Sequence, residues 1–317
     1  MPEVSIIVAT YNADWQKLMM TINSIIIQSG VKFEIIFADD GSKIKWNDKI
    51  RRYLPDDIDG SFVDAEKNVG TVLNIANAVN RAKGKYIKVI SPGDCFNGCE
   101  ALRKWVDFMK KSDADLSFCN AVYYTNIDRH VRVISQQMSP KNIELYHKKN
   151  NQNRIFIDYL LANDSILGAS VMAKKDIFFS YLTEIKNRVK YAEDYMIRLM
   201  VYDRKRIYHI NCNLIWYEYG EGISTTQNNK WAILLHKDFE EVNDLIKKRN
   251  TEQSNLHERY RRFLTDRNIG VLHKIKKIVM FPSMIGYRWK MKFSKNTTPI
   301  ENFKFLNEMM QYERNEG

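Results

Sequence analysis

Residues 33–42 read FEIIFADDGS, an apolar run that ends in two aspartates, a glycine and a serine. Upstream, residues 4–12 read VSIIVATYN, a β-branched apolar run that also ends in polar residues. Between the two runs, apolar residues recur from Trp15 to Ile26 at the spacing of an amphipathic helix. A strand, a helix and a strand in succession form a βαβ unit, which predicts a parallel sheet with right-handed crossovers.

The same alternation continues along the chain. An apolar piece at residues 60–70 leads into a helix-compatible segment that stops at Gly84, as helices commonly do. Residues 85–94, KYIKVISPGD, then form a strand that ends at its only aspartate. Ligands of open α/β sheets bind at the carboxyl ends of strands. We therefore expect one crevice to be faced by Tyr11, Asp39, Asp40, Asn68 and Asp94.

Composition limits the possible classes of protein. Of the 317 residues, 44% are hydrophobic and 27% are charged, which is typical of a folded globular chain rather than a disordered one. The sequence contains neither the run of about 18 apolar residues that a spanning helix needs nor a signal-peptide pattern, so we expect a cytoplasmic protein. The net charge of +11 favours a polyanionic partner, either nucleotide phosphates, nucleic acid or an anionic membrane surface.

Missing motifs narrow the choice further. The chain has no GxGxxG and no GxxxxGK[ST], which argues against a dinucleotide cofactor and a P-loop nucleotidase. It has no RNP-like motif, zinc finger or helix-turn-helix signature, and its basic residues concentrate late, so nucleic acid is an unlikely partner. A sugar nucleotidyltransferase is an alternative with the same fold class, but residues 10–17, TYNADWQK, lack its glycine-rich basic phosphate loop.

Adjacent carboxylates occur at Glu193 and Asp194, within YAEDYMIRLM at residues 191–200. Neighbouring helical positions diverge by about 100°, so one acid can face a pocket while the other is held elsewhere, an arrangement that suits a general base. The alternative is an acidic first turn that complements the helix dipole. The ADDGS stretch, residues 38–42, likewise fits either a nucleotide contact or an Asp-Gly turn with a capping serine.

Taken together, VSIIVATYN, EIIFADDGS, KNVG, AKGKYIKVISPGD and AEDY resemble glycosyltransferase family 2, the inverting transferases of GT-A fold, in order and spacing over residues 1–225. The resemblance implies an α/β fold with a Rossmann-like, mostly parallel sheet flanked by helices and a helical C-terminal extension. It implies a nucleotide-sugar-binding half at residues 1–120, an acceptor-binding and catalytic half at 121–226, and a mainly helical, basic region at 227–317.

The resemblance also implies roles for individual residues. Asp194 matches the catalytic base and Glu193 its partner. Thr10 and Tyr11 match positions that hold the uracil ring, and Asp40 matches the carboxylate that accepts from the base. The full set expected to bind the nucleotide sugar is Thr10, Tyr11, Asn12, Asp39, Asp40, Asn68, Gly70, Ser91, Pro92, Gly93, Asp94, Arg198, Ser224 and Thr225.

The strand that ends at residue 94 departs from the family pattern, in which Asp-x-Asp or Asp-x-Asp-Asp supplies a carboxylate to Mg²⁺ or Mn²⁺. Here the residues read SPGD, a variant that resembles capsular and exopolysaccharide members, and only Asp94 is acidic. One aspartate suffices for a cation held mainly by phosphates and water, so we expect Mn²⁺ or Mg²⁺ at Asp94. His209 is a candidate second ligand, the alternative being a structural histidine. A Pro-Gly turn without ligands is the alternative for the whole stretch.

The resemblance thus implies transfer of a hexosyl or N-acetylhexosaminyl group from a UDP-sugar to a hydroxyl of a glycan or lipid-linked glycan, in surface polysaccharide biosynthesis. Asp194 would take the acceptor proton, while the cation and Arg198 stabilise the leaving diphosphate. The alternative is a GT-A nucleotide-binding module that has lost catalysis.

The late basic segment, residues 258–293, alternates Lys and Arg with apolar residues. This pattern predicts peripheral binding to the anionic inner face of the cell membrane, which would suit a lipid-linked acceptor. A helical hairpin packed on the catalytic domain, with solvated lysines, is the alternative. Pro282 and Gly286 argue against one unbroken helix.

Overall fold

The computed structural model of the chain describes residues 1–127, 130–135, 139–220, 222, 229–265, 270–293 and 303–311. In these residues, a nine-stranded sheet is flanked by helices on both faces. The strands are β1 (Val4–Thr10), β2 (Phe33–Asp39), β3 (Gly60–Asp64), β4 (Tyr86–Ile90), β5 (Cys95–Phe96), β6 (Leu116–Ile127), β7 (His130–Ser135), β8 (Val171–Lys174) and β9 (Ile207–Glu218).

Strand order in the sheet is β3-β2-β1-β4-β8-β6-β9-β5, with β7 paired to β6. Neighbours pair in parallel among β1 to β4 and between β6 and β9, whereas β5, β7 and β8 pair antiparallel to their neighbours. The predicted α/β fold with a mostly parallel sheet is confirmed.

The helices are α1 (Trp15–Ile26), α2 (Asn47–Tyr53), α3 (Thr71–Arg81), α4 (Ala101–Ser112), α5 (Gln152–Phe156), α6 (Lys175–Ile185), α7 (Met196–Tyr202), α8 (Asn229–Lys248), α9 (Glu252–Thr265), α10 (Val271–Met280), α11 (Pro282–Phe293) and α12 (Phe303–Gln311). None of the helices in the described ranges is long and apolar enough to cross a membrane. A short 3₁₀ turn, Glu193–Tyr195, directly precedes α7.

Side chains of β1 alternate between two hydrophobic cores, which explains why its sequence is apolar at nearly every position. Ile7 belongs to the core under α3, α6 and α7, whereas Ile6 and Val8 belong to the core under α1 and α4. Burial on both faces is characteristic of parallel sheets. Register also brings Thr10 opposite Asp39, so that β1 and β2 end at the same level of the sheet.

The boundary predicted at residue 120 falls within β6, so the two expected halves share one continuous sheet. The division of function between them stays a prediction.

Beyond residue 228, the described residues form α8 to α12. Helix α10 ends at Met280 and α11 begins at Pro282, so the prediction of a broken helix is confirmed at Pro282. Gly286, in contrast, lies within α11 and does not interrupt it. Helix α12 contacts the sheet domain, because Asn23 of α1 donates from Nδ2 to the carbonyl of Met309, 3.0 Å away.

Candidate active site

A cleft of about 950 Å³ opens at the carboxyl ends of β1 and β4. Its volume lies at the upper end of the range for ligand pockets, which leaves room for a molecule the size of a nucleotide sugar. The wall contains nine of the residues singled out in the sequence: Thr10, Tyr11, Asn12, Asp40, Ser91, Pro92, Asp94, Glu193 and Asp194. The structure therefore brings together the strand ends and the acidic pair from a hundred residues downstream.

Asp39 stabilises a turn beside the cleft and does not line the cleft wall. Its carboxylate accepts hydrogen bonds from the hydroxyl of Thr10 (3.1 Å) and from both the backbone N–H (2.8 Å) and the hydroxyl (2.6 Å) of Ser42. The Ser42 hydroxyl also accepts from the N–H of Asn12, at 2.7 Å. Asp39 therefore follows the Asp-Gly turn alternative for ADDGS, but Ser42 bonds to Asp39 and does not cap a helix, since α2 begins after Trp46 without a side-chain cap.

Asp40, in contrast, lies on the cleft wall and fixes the turn that follows β3. Its carboxylate accepts from Nδ2 of Asn68 (3.0 Å) and from the N–H groups of Val69 (2.7 Å) and Gly70 (3.1 Å). Burial raises the pKa of Asp40, and the two backbone N–H groups oppose that shift. Asn68 and Gly70 are predicted nucleotide contacts. In the structure both donate hydrogen bonds to Asp40 and so help to hold its carboxylate on the cleft wall. Tyr11 keeps 53% of its surface exposed at the cleft, where its ring is available to a base.

The SPGD turn is anchored to α1. Gly93 donates its N–H to the hydroxyl of Thr21, at 3.0 Å, and that hydroxyl donates to the carbonyl of Asp94, at 2.8 Å. The side chain of Asp94 is buried and accepts the backbone N–H of Glu218 at 3.0 Å. Burial raises the pKa of Asp94. The turn is therefore a fixed part of the cleft and not a loose connection.

Glu218 is a cleft residue that the sequence reasoning missed. It is the last residue of β9, is buried, and pairs through Oε1 with Nζ of Lys17, 2.9 Å away on α1. Both side chains line the cleft beside Asp94. A signal was available, because Glu218 is an acid at the end of an apolar strand that runs parallel to β6, like the aspartates at the other strand ends.

The acidic pair lies in the 3₁₀ turn before α7, next to the turn that contains Gly168. A Cβ on Gly168 would lie 3.1 Å from Cβ and 3.2 Å from Oδ2 of Asp194. Burial raises the pKa of Asp194, while the backbone N–H groups of Asp194 and Tyr195 favour its ionised form. The pKa of Glu193 is raised further, by burial and by the charge of Asp194.

Two helices hold the backbone just before the acidic pair. Asp238 of α8 is buried, and its carboxylate accepts from the N–H groups of Lys190 (3.0 Å), Tyr191 (2.7 Å) and Ala192 (3.1 Å). The carbonyl of Lys190 accepts from Val72 at the start of α3, at 3.1 Å. Because these contacts cross between distant parts of the chain, no local sequence pattern predicted them.

Lys88 is a buried cation beneath the cleft floor. Its ammonium donates to the carbonyls of Val89 and Ala169, each at 2.6 Å, and both residues border the cleft. Burial lowers the pKa of Lys88, and the nearby charges of Asp94 and Glu193 oppose that shift. Lys88 therefore joins β4 to the Gly168 turn and compensates part of the buried negative charge.

Arg198 does not reach the cleft, contrary to expectation. Its guanidinium is buried, donates to Oδ1 of Asn163 (3.2 Å) and of Asn243 (3.3 Å), and stacks on Phe239 at 4.5 Å. The reason is that α7 begins after the acidic pair, and the face of α7 that carries Arg198 packs against α8. Its predicted role near the leaving group is therefore wrong.

His209 also lies far from Asp94. Its Nε2 is 2.8 Å from Oδ1 of Asn120 and its Nδ1 is 2.7 Å from Nε2 of His147, and burial lowers its pKa to about 3. Glu218 contacts Asp94 and pairs with Tyr124 of β6, whereas His209 pairs with Phe118, so six residues of β6, roughly 20 Å, separate the two positions on β9. The prediction that His209 and Asp94 bind the same metal ion is therefore wrong.

In the part of the chain that the structure describes, no three or more His, Cys, Asp or Glu residues form a group that could hold a metal ion. Asp94 and Glu218 nevertheless lie together on the cleft wall, and a hard cation bound through phosphate oxygens and water needs only one or two protein carboxylates. The two residues thus fit a divalent cation. Ser224 and Thr225 lie outside the described residues.

Comparison with known proteins identifies the family. The family model described as Glycosyl transferase family 2 matches residues 5–171, which is more than half of the chain. The chain belongs to glycosyltransferase family 2. The matched range includes both DDGS and SPGD but ends before the acidic pair.

Two curated relatives agree with this membership. MJ1057 of Methanocaldococcus jannaschii, described as an uncharacterised glycosyltransferase, is 31% identical over 55% of this chain and 58% of its own length. TuaG of Bacillus subtilis, described as a glycosyltransferase of teichuronic acid biosynthesis, is 30% identical over 37% of this chain and 46% of its own length. The chain thus spans about half the length of the relatives it matches.

Solved structures share the fold at low sequence identity. S. aureus TarS 1-349 in complex with UDP-GlcNAc has a TM-score of 0.55 and 15% identity, over 90% of this chain and 81% of that one. The mannosyltransferase PcManGT of Pyrobaculum calidifontis in complex with GDP-Man and Mn²⁺ has a TM-score of 0.56 and 11% identity, over 93% and 76%. The predicted GT-A fold is therefore confirmed.

Proposed function

We propose that this protein transfers a sugar from a nucleoside-diphosphate donor, a UDP-sugar, to a hydroxyl of a glycan or lipid-linked glycan, with inversion at the anomeric carbon. The observation that carries this proposal is that Asp194 lines the same cleft as Thr10, Asp40 and Asp94. A carboxylate with a raised pKa opposite the strand ends is suited to accept a proton from an acceptor bound across the cleft.

The cleft suggests how the donor is oriented. Tyr11, Asp40, Lys17 and Asp94 all line the cleft, and we assign the base to Tyr11 and Asp40 and the diphosphate to Lys17 and Asp94. The sugar then lies toward Asp194, which removes the proton of the attacking hydroxyl while the nucleotide leaves from the opposite face. A single displacement of this kind inverts the anomeric centre.

A divalent cation, Mn²⁺ or Mg²⁺, fits this orientation. PcManGT shares the fold and was solved with Mn²⁺, and Asp94 is the acidic residue that the SPGD turn supplies to the cleft. When bound, the cation neutralises charge that develops on the leaving diphosphate.

Relatives support the substrate class. TarS was solved with UDP-GlcNAc and PcManGT with GDP-Man, so the shared fold accommodates nucleotide sugars of either base. TuaG is described in teichuronic acid biosynthesis, which supports an acceptor that belongs to a surface polysaccharide.

The direct test is nucleotide release from a panel of UDP-sugars and GDP-mannose, with Mn²⁺ and a mixture of glycan and lipid-linked acceptors. The wild type should release UDP from one donor, and Asp194→Asn should lower turnover by about 100-fold or more while its donor affinity stays close to wild type. Donor binding without release from any member of the panel would instead favour a degenerate binding module. Equal loss of affinity and turnover in the variant would contradict the base assignment.

Peripheral attachment to an anionic membrane also belongs to this proposal. On α10, five apolar residues at helical spacing lie on one exposed face, with Leu272 84% and Val279 72% exposed. Lys274 and Lys276 are exposed on the same helix. Apolar side chains beside lysines match an interface of acyl chains and anionic headgroups, and such an attachment would present a lipid-linked acceptor to the cleft.

A further inference from the structure

Position 93 has no side chain, yet the space beside it contains a carboxylate. Gly93 has φ +100, and a Cβ built on it would collide with Oε2 of Glu218. Any acid at position 93 would therefore need the volume that the Glu218 side chain fills. The carboxylate of Glu218, at the end of β9, therefore fills the space beside the SPGD turn.

Glu218 is held in that place from both ends. Its backbone N–H donates to Oδ1 of Asp94 at 3.0 Å, which brings the two acidic residues together across the β4 and β9 ends. Its own carboxylate is 2.9 Å from the ammonium of Lys17. Glu218 is 5% exposed in this pair and Lys17 is 28% exposed, so the lysine is the partner that can turn toward a ligand in the cleft.

We propose that Glu218 supplies, with Asp94, the second carboxylate for the divalent cation that accompanies the donor diphosphate, and that Lys17 is its exchangeable counter-ion. This inference rests on the proposed function, because it assigns residues to the donor site of that reaction. In the free protein the ammonium of Lys17 compensates the charge of Glu218. Donor phosphate oxygens attract the ammonium, and the carboxylate is then available to the cation.

The proposal makes opposite predictions for the two partners of the ion pair. Glu218→Gln removes a ligand and should weaken Mn²⁺ binding, measured with saturating UDP, by about tenfold or more. Lys17→Met removes the competing ammonium and should strengthen Mn²⁺ binding in the absence of nucleotide. Glu100→Gln is the matched control, because Glu100 is an exposed glutamate that pairs with Lys104 at 3.8 Å away from the cleft.

Manganese binding is measured directly by electron paramagnetic resonance, in which the signal of free aqueous Mn²⁺ decreases on binding, so no turnover is required. Thermal unfolding establishes that each variant is folded. If Glu218→Gln does not fold, Lys17→Met alone tests the proposal. Unchanged or weaker Mn²⁺ binding by that variant then overturns it. Wild-type Mn²⁺ affinity in a folded Glu218→Gln also overturns it.

Titration of UDP with Mn²⁺ and with EDTA distinguishes failure of this inference from failure of the proposed function. If UDP binds neither with Mn²⁺ nor with EDTA, the proposed function itself fails. If UDP binds but Glu218→Gln retains wild-type Mn²⁺ affinity, only the assignment of Glu218 fails.

Discussion

Gly168 lies directly against the carboxylate of Asp194, with only 3.2 Å between the position of a Cβ on Gly168 and Oδ2. Gly168→Ala should therefore displace the carboxylate by a few tenths of an ångström and lower kcat by about tenfold, with a smaller effect on donor affinity. The control is Gly286→Ala in α11, where nothing lies within 4 Å of the added Cβ. Wild-type kcat in Gly168→Ala would indicate that the position of Asp194 is not critical.

Asp238 should matter both for stability and for activity, because its carboxylate accepts three consecutive backbone N–H groups just before the acidic pair. Asp238→Asn places an amide group where only acceptors fit, and should cost about 2 kcal/mol of unfolding free energy while lowering kcat. Asp244→Asn on the same helix alters an exposed pair with Arg188 and should have little effect. Denaturant unfolding and kcat measured on the same samples test both effects.

Activity should decrease at acidic pH, with a midpoint at a higher pH than the pKa of an ordinary aspartate. Asp194 accepts a proton only when it is ionised, and burial raises its pKa from 3.8, so activity should decrease as pH falls through that raised pKa. Glu193 has a pKa that is raised further and keeps its proton to higher pH. Glu193→Gln should therefore preserve this decrease. A midpoint near pH 4, or loss of the decrease in Glu193→Gln, would contradict these roles.

Membrane attachment through α10 predicts selective capture by anionic vesicles. The double variant Leu272→Glu with Val279→Glu should reduce sedimentation with phosphatidylglycerol-containing vesicles by about fivefold or more, because it removes apolar area and adds negative charge. Ile233→Glu is the matched control, since Ile233 is 70% exposed on α8. Equal capture by neutral vesicles, or equal loss in the control, would favour a helical hairpin without a membrane role.

Sequence patterns predicted the parts of the site that follow apolar runs. The ends of β1 and β4 were identifiable because buried strands read as continuous apolar segments, and the polar residues that follow them lie at one edge of the sheet. Asp39 and Asp40 could not be separated in this way. Which of two neighbouring carboxylates faces the cleft depends on Ser42 and on the turn at residues 68–70, which meet only in the folded chain.

Long-range packing explains the remaining differences. The family resemblance places Arg198 at the donor site, but the 3₁₀ turn before α7 directs its side chain toward α8. His209 was assigned by residue type, although it lies at the opposite end of β9 from the acids. The local sequence did not predict a role for Lys88, because its ammonium donates to the carbonyls of Val89 and Ala169, and the contact with Ala169 forms only in the folded chain.

Calorimetric titration of UDP into the purified protein with Mn²⁺, repeated with EDTA, tests whether the cleft is a nucleotide-sugar site. We expect one-site binding with a Kd of about 1 to 100 μM in Mn²⁺, clearly weaker binding in EDTA, and an unchanged affinity in Asp194→Asn. Absence of UDP binding in both conditions would contradict the claim that the cleft formed by the strand ends, Asp94 and Asp194 is a nucleotide-sugar site.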